Sequence, residues 1–236
     1  MAAVMRAGAA MWRDDDPTPR YAIYRLIHKG LRGFMADTLL RVGRMDVNDD
    51  CERAETIEQL RGLLGMCTTH LEHENAFVHP AIEKMQAGRQ PRTAHDHVAH
   101  VVAIRTLGHQ LAQFESASPE RRALLAQELY LDLSNFVAEN FEHMVLEETE
   151  NHAALVRNYT DAELHGIEQS IRASLTPQDT GTAMRWMLPH VNAGERAAML
   201  TGMKHGAPAE VFNRVLALAG EVLSQRDFYK LQQALA

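Results

Sequence analysis

The sequence predicts an all-α protein: an antiparallel, up-and-down four-helix bundle followed by several short C-terminal helices. Apolar residues recur at three- and four-residue spacing almost throughout, and nowhere do Val, Ile and the aromatics alternate with polar residues for the length of a strand. The 236 residues, 46% of them hydrophobic, suffice for one large helical domain or a medium one with a small companion. Four long periodic stretches are joined by short Gly-, Pro- or Asp-rich breaks, as antiparallel neighbours require.

The first helix is expected from about Tyr21 to Val42, with Ile23, Ile27, Leu31, Met35 and Leu39 on its buried stripe, ending at Gly43 before the turn MDVNDD. That acidic stretch reads as a capping turn, because no bidentate Glu follows at the distance a calcium loop needs. A second helix begins near Asp50, carries Ile57, Leu60, Leu64, Cys67 and Leu71 inward, and is expected to kink or end at Pro80. The loop AGRQP leads to a third helix after Pro91, which runs through Ile104, Leu107, Leu111 and Phe114. Ser118-Pro119-Glu120 then supplies an N-cap, a first-turn proline and a first-turn acid for a fourth helix reaching about Arg157.

Beyond Tyr159 the periods shorten. Cap signals at Thr160 (with Glu163), Thr176-Pro177, Asn192 (with Glu195), Pro208 and Ser224 predict four or five short helices. Their apolar residues, Trp186, Met187 and Leu188, then Val211, Phe212, Val215 and Leu216, are expected to bury a face against the bundle or another subunit. No internal repeat is evident. The organisation expected is a disordered leader over 1–19, a bundle over 20–158 and a short-helix segment over 159–236.

Composition narrows the partners. With 24 basic and 31 acidic residues the formal charge is −7, and no segment gathers Lys and Arg on one face, so nucleic acid is not expected. No apolar run approaches the roughly 20 residues that span a bilayer, so no membrane is expected either. The N-terminal stretch lacks an apolar core and carries Asp14, Asp15 and Asp16, which is unlike a signal peptide, and the expected location is the cytoplasm. Cys51 and Cys67 are sixteen residues apart. That is roughly 24 Å along one helix, so both are expected as reduced thiols.

Chemistry concentrates in the histidines, of which there are 13. In THLEHENAFVHP, His70 and Glu74 stand at i and i+4, leaving one helix face one turn apart, and in ENFEHMVLEETE the pair recurs as His143 and Glu147. His143 continues the stripe of Asn140, Phe136, Leu133 and Leu129, so it faces the interior. His28 lies beside the stripe of the first helix, and His97 and His100 are in register with Ile104 and Leu107 on the third. Each helix thus offers a His to one core, and His97 matches the height of His143 better than His100 does. The set His28, His70, Glu74, His97, His100, His143 and Glu147, five imidazoles and two carboxylates, suits a pair of first-row metals, iron above all. Zinc fits less well, since HExxH is absent. His73, His79, His95, His109 and His152 are expected around the site or facing solvent, and His165, His190 and His205 are read as structural.

The order His, HxxxE, His, HxxxE over roughly residues 20–157 resembles the hemerythrin-like (HHE cation-binding) domain, bacterial type. That resemblance implies an oxo- or hydroxo-bridged pair of iron ions held by His28, His70, Glu74, His143 and Glu147, completed by His97, His100 or both. The oxygen carriers of the family have a longer last motif, which would select Glu148, and a helix-three pair four residues apart. HxxxE therefore looks more like the iron-handling and sensing branch.

Two functional classes follow. One is a binding or sensing module taking a small ligand such as O2 or NO, or handling iron; the other is a di-iron oxidase or peroxidase-like enzyme using an open coordination position. Histidine-rich ligation favours the first, because oxygen-activating ferritin-like bundles build carboxylate-rich sites. An acidic bundle with a helical appendage is also compatible with a homodimer.

Overall fold

The computed structural model describes residues 20–85 and 93–236, and every regular element among them is helical. The expected leader (1–19) and the whole AGRQP loop lie outside the described residues. No described helix is long and apolar enough to cross a membrane. In chain order the helices are α1 (Arg25–Arg44), α2 (Asp50–His73), α3 (His79–Met85), α4 (Thr93–Glu115), α5 (Pro119–Leu146), α6 (His152–Asn158), α7 (Asp161–Ser174), α8 (Pro177–His190), α9 (Ala193–Gly206), α10 (Ala209–Val222) and α11 (Gln225–Leu235). Two short π-helical segments, Glu74–Val78 and Glu147–Asn151, join α2 to α3 and α5 to α6 without a break. The second helix therefore does not end at Pro80. In an α-turn the Ala76 carbonyl would need the N–H that proline lacks, whereas the five-residue step of a π-turn passes over it.

Contacts divide the chain into two units: one holds residues up to Arg25 together with Met35–Ser174, the other Leu26–Phe34 together with Leu175–Ala236. In the first unit α4 packs on both α5 and α2. Leu107, Leu111 and Phe114 of α4 and Leu125, Leu129, Leu133 and Phe136 of α5 are buried at helical spacing. Asp49 caps α2 by accepting from the N–H groups of Cys51 and Glu52, both at 2.9 Å. The end of α1 is tied to α2 where Gln59 donates to Asp37 Oδ2 (2.7 Å) and Thr38 Oγ1 (3.1 Å). Arg20 closes the junction of α6 and α7, donating to Val156 O (2.9 Å), Tyr159 O (2.7 Å) and Asp161 Oδ1 (2.6 Å). Beneath it Tyr24, Val78, Ile82, Ala154, Leu155 and Leu164 form a separate apolar cluster.

In the second unit the buried residues Met184, Leu188, Leu200, Val215, Ala219 and Leu231 join α8 to α11. Trp186 stacks on Phe34 with ring centroids 3.9 Å apart. Cα–Cβ space is absent at Gly30 and Gly33, where an added Cβ would meet Met187 at 2.8 Å and the His190 ring at 2.3 Å. The five C-terminal helices begin at residues 161, 177, 193, 209 and 225, a regular step of sixteen residues where the sequence shows no evident repeat. Caps recur with it: Thr176 with Asp179 and Asn192 with Glu195 form reciprocal capping boxes, and Thr160 pairs with Glu163 in the same way. The residues between the caps vary, so the period is carried by the helix starts.

Candidate metal centre

The segments bearing the HxxxE pairs share a longer pattern, His70-x3-Glu74-x4-His79 and His143-x3-Glu147-x4-His152. In an uninterrupted α-helix the last His would lie roughly 180° around from the first, since each residue turns about 100°. Here each π-segment starts on the glutamate, and the N–H groups of His79 and His152 donate five residues back to the carbonyls of Glu74 and Glu147. An α-turn of four residues followed by a π-turn of five keeps all three side chains of each segment on one face. His79 and His152 are accordingly buried, at 3% and 2% exposure. π-turns of this kind concentrate at functional sites.

Within the first unit the side chains of Glu74, His97, His143 and Glu147 offer ligand atoms that all lie within 4.8 Å of one another, and all four residues are buried. His70, Glu74 and Glu147 meet the same limit among themselves. The i,i+4 pairs are close, with His70 Nε2 3.2 Å from Glu74 Oε1 and His143 Nε2 3.3 Å from Glu147 Oε1. His97 Nε2 lies 3.4 Å from Glu74 Oε2, 3.8 Å from Glu147 Oε1 and 3.1 Å from His143 Nε2.

Two polar side chains orient these imidazoles. His97 Nδ1 is 2.9 Å from Asn75 Oδ1, and His143 Nδ1 is 3.3 Å from Asp96 Oδ2. In the tautomers that donate from Nδ1, both Nε2 atoms present lone pairs to each other. A cation between them relieves that opposition, and two nitrogen and two carboxylate donors fit a first-row metal ion. Burial, then the neighbouring His143 and His97, push His100 down to about 4, and burial, then His97, do the same for His79. Burial also opposes the charged form of His143, but its bond to Glu147, with the charges of Glu147 and Glu74, outweighs that and raises its pKa. Tyr24 is held well above the usual phenol range by burial and by the charges of Glu147 and Glu74, and its oxygen accepts from Asn151 at 3.4 Å.

Of the residues singled out by sequence, His70, Glu74, His97, His143 and Glu147 come together in this way. His100 is buried with its ring centroid 4.7 Å from that of His143, outside the four-donor group. His28 has no exposed surface and lies on α1 in the stretch that belongs to the second unit. Glu147 is fully buried, while Glu148 is only half-buried and outside the group. Asn75 and Asp96 were not singled out by sequence, and His79, expected around the site or facing solvent, is buried against His97. The repeated nine-residue spacing was the available signal for His79, but the π-turn that gives it meaning has no sequence signature. Cys51 is exposed and Cys67 buried, both as free thiols, and burial raises Cys67 to about 12. Comparison with protein-family models, with curated proteins and with solved structures finds no match for this chain.

Proposed function

We propose that the protein is a hemerythrin-like, non-haem di-iron protein that binds or senses a small ligand such as O2 or NO, or handles iron. In this reading α1, α2 with α3, α4, and α5 with α6 form the antiparallel four-helix bundle expected from the sequence. The observation that carries it is the sharing of carboxylates. Glu74 and Glu147 belong both to a group with His70 and to a group with His97 and His143, the ligand atoms of each lying within 4.8 Å of one another, so both carboxylates would be available to a pair of ions. His70, with the two carboxylates, would hold one ion. His97 and His143, with His100 adjacent, would hold the second.

A pair of irons would supply reversible electron transfer to a small ligand and an open coordination position for it. The chain's own part is to bury the donors, fix the Nδ1–H tautomers of His97 and His143 through Asn75 and Asp96, and keep bulk water from the carboxylates. The imidazole-rich donor set supports binding over oxygen activation.

Elemental analysis of the full chain, reconstituted anaerobically with ferrous iron and then exposed to air, tests this. Expected are about two irons per chain and a near-ultraviolet band that comes and goes with oxygen. Irreversible oxidation with release of hydrogen peroxide would instead favour the oxidase reading. No iron after reconstitution would overturn both.

A further inference from the structure

The two nine-residue patterns are alike in backbone and unlike in surroundings. The charged and titratable groups that act on His152 are Arg20, Arg25, Asp161 and Glu148, none of which belongs to the metal group. Those acting on His79 are His97, Glu74, Glu147 and His143, which are the metal group itself. The π-segment after Glu74 brings its last imidazole against His97 of the site, whereas neither ring nitrogen of His152 has a hydrogen-bond partner among the described residues.

His79 meets His97 face to face, with ring centroids 4.6 Å apart and planes 29° from parallel. Both rings are buried, and His79 Nε2 has no hydrogen-bond partner among the described residues. What His79 presents to the site is thus its flat face. His97 needs such a contact, because the terminal torsion of a histidine is broad and the ring is free to rotate about it. Asn75 at Nδ1 and His143 at Nε2 both meet the ring at its edge, not its face, and Asn75 is itself exposed, so water competes for its bond.

We propose that His79 is a positioning residue of the metal centre, which holds the His97 ring by its face so that Nδ1 stays on Asn75 and Nε2 stays turned toward Glu74, His143 and Glu147. It acts through His97. The metal side of this inference rests on the di-iron reading above; the orientation of the His97 ring does not.

The test uses the full chain and three variants. His79→Phe keeps a flat face and removes both nitrogens, His79→Ala removes the face, and His79→Leu fills the space without a flat ring should the alanine variant fail to fold. In the metal-free, 15N-labelled protein, the imidazole nitrogen shifts of His97 report its tautomer. They are expected to show a single Nδ1–H form in the wild type and in His79→Phe, and a mixture in His79→Ala or His79→Leu. Titration with ferrous iron alone is expected to show one ion bound roughly 10- to 100-fold more weakly in His79→Ala, as for other residues that orient a ligand, and wild-type binding in His79→Phe.

An unchanged His97 tautomer in His79→Ala would overturn the proposal. So would a loss in His79→Phe equal to that in His79→Ala, since the nitrogen would then be what matters. A wild-type chain that binds no iron would sink the di-iron reading while the tautomer readout still decided the orientation of His97.

Discussion

The Nε2 atoms of His97 and His143 face one another at 3.1 Å, between helices α4 and α5 and beside two buried glutamates. In the tautomers that donate from Nδ1 neither Nε2 carries a proton, and in the proposed di-iron reading a cation would lie between them. The same glutamates also lie near His70, which makes carboxylate and imidazole variants distinguishable. In the di-iron reading, Glu74→Gln and Glu147→Gln are each expected to lower bound iron from about two ions per chain toward none, because each would replace a shared carboxylate with a neutral amide. His97→Ala and His143→Ala are expected to leave about one ion, the one next to His70. Elemental analysis after desalting separates these patterns, and loss of a single ion in the glutamate variants would remove the bridging assignment.

Asp96 meets the site at His143, whose Nδ1 lies 3.3 Å from its Oδ2. Its carboxylate accepts from Nδ1 and makes the opposite nitrogen a better donor to a metal. Asp96→Asn keeps the shape and removes the charge. It is expected to weaken one ion by roughly tenfold, the low end for such partners, because the Asp96 side chain is 38% exposed and partly screened. Competition between the protein and a coloured iron chelator measures this, and unchanged competition would show that His143 needs no carboxylate behind it.

The helix starts were legible because their causes are local. Asp49, Ser118, Thr176, Asn192 and Ser224 sit where the sequence predicted caps, and a cap is decided by the residue and its next few neighbours. The faces of α4 and α5 were legible for the same reason, through the spacing of His97, Leu107, Leu111 and Phe114 and of Leu129, Leu133, Phe136 and His143. Pro80 does not end the helix, because its usual effect presumes an α-turn before it and the chain makes a π-turn there. Asn75 and Asp96 were not legible, since whether a polar side chain reaches a neighbouring helix depends on packing that a single periodicity does not contain. The end of the first compact unit at Ser174 was hidden likewise, because α7 looks like the helices that follow it until Tyr21 is seen bonded to Glu168 and Arg20 to Asp161.

In the second unit a buried cation does the work of a cap. Arg196, 4% exposed, donates from Nε to Leu188 O at 2.7 Å and from Nη2 to Val191 O at 3.0 Å, where α8 ends. Carbonyls at a helix C-terminus have no partner within the helix, and a cation there also suits the helix dipole. Arg196→Met keeps much of the apolar stem and abandons both carbonyls. It is expected to destabilise the protein by roughly 1–3 kcal/mol, read by urea unfolding, with far-ultraviolet circular dichroism near neutral pH otherwise unchanged. A variant as stable as the wild type would mean that water reaches these carbonyls.

Acid should weaken the metal-free protein through its buried neutral imidazoles. His79 and His100 are pushed from the ordinary 6.5 to about 4 in the folded chain, and His152 is lowered as well. Between those values the unfolded chain takes up protons that the folded chain refuses, so their contribution to stability is complete above about pH 6.5 and is lost progressively down to about pH 4. His143 has the opposite sign. Its raised value stabilises the folded chain below 6.5, and that contribution fades as pH rises through the raised value. With three lowered groups against one raised, the melting temperature of the metal-free chain is expected to fall from pH 6.5 to pH 4. His79→Phe, which removes one refusing group, is expected to fall less steeply over the same interval. Melting curves at half-unit steps of pH measure both slopes, and identical slopes for variant and wild type would show that His79 takes up its proton in the folded chain as readily as in the unfolded one.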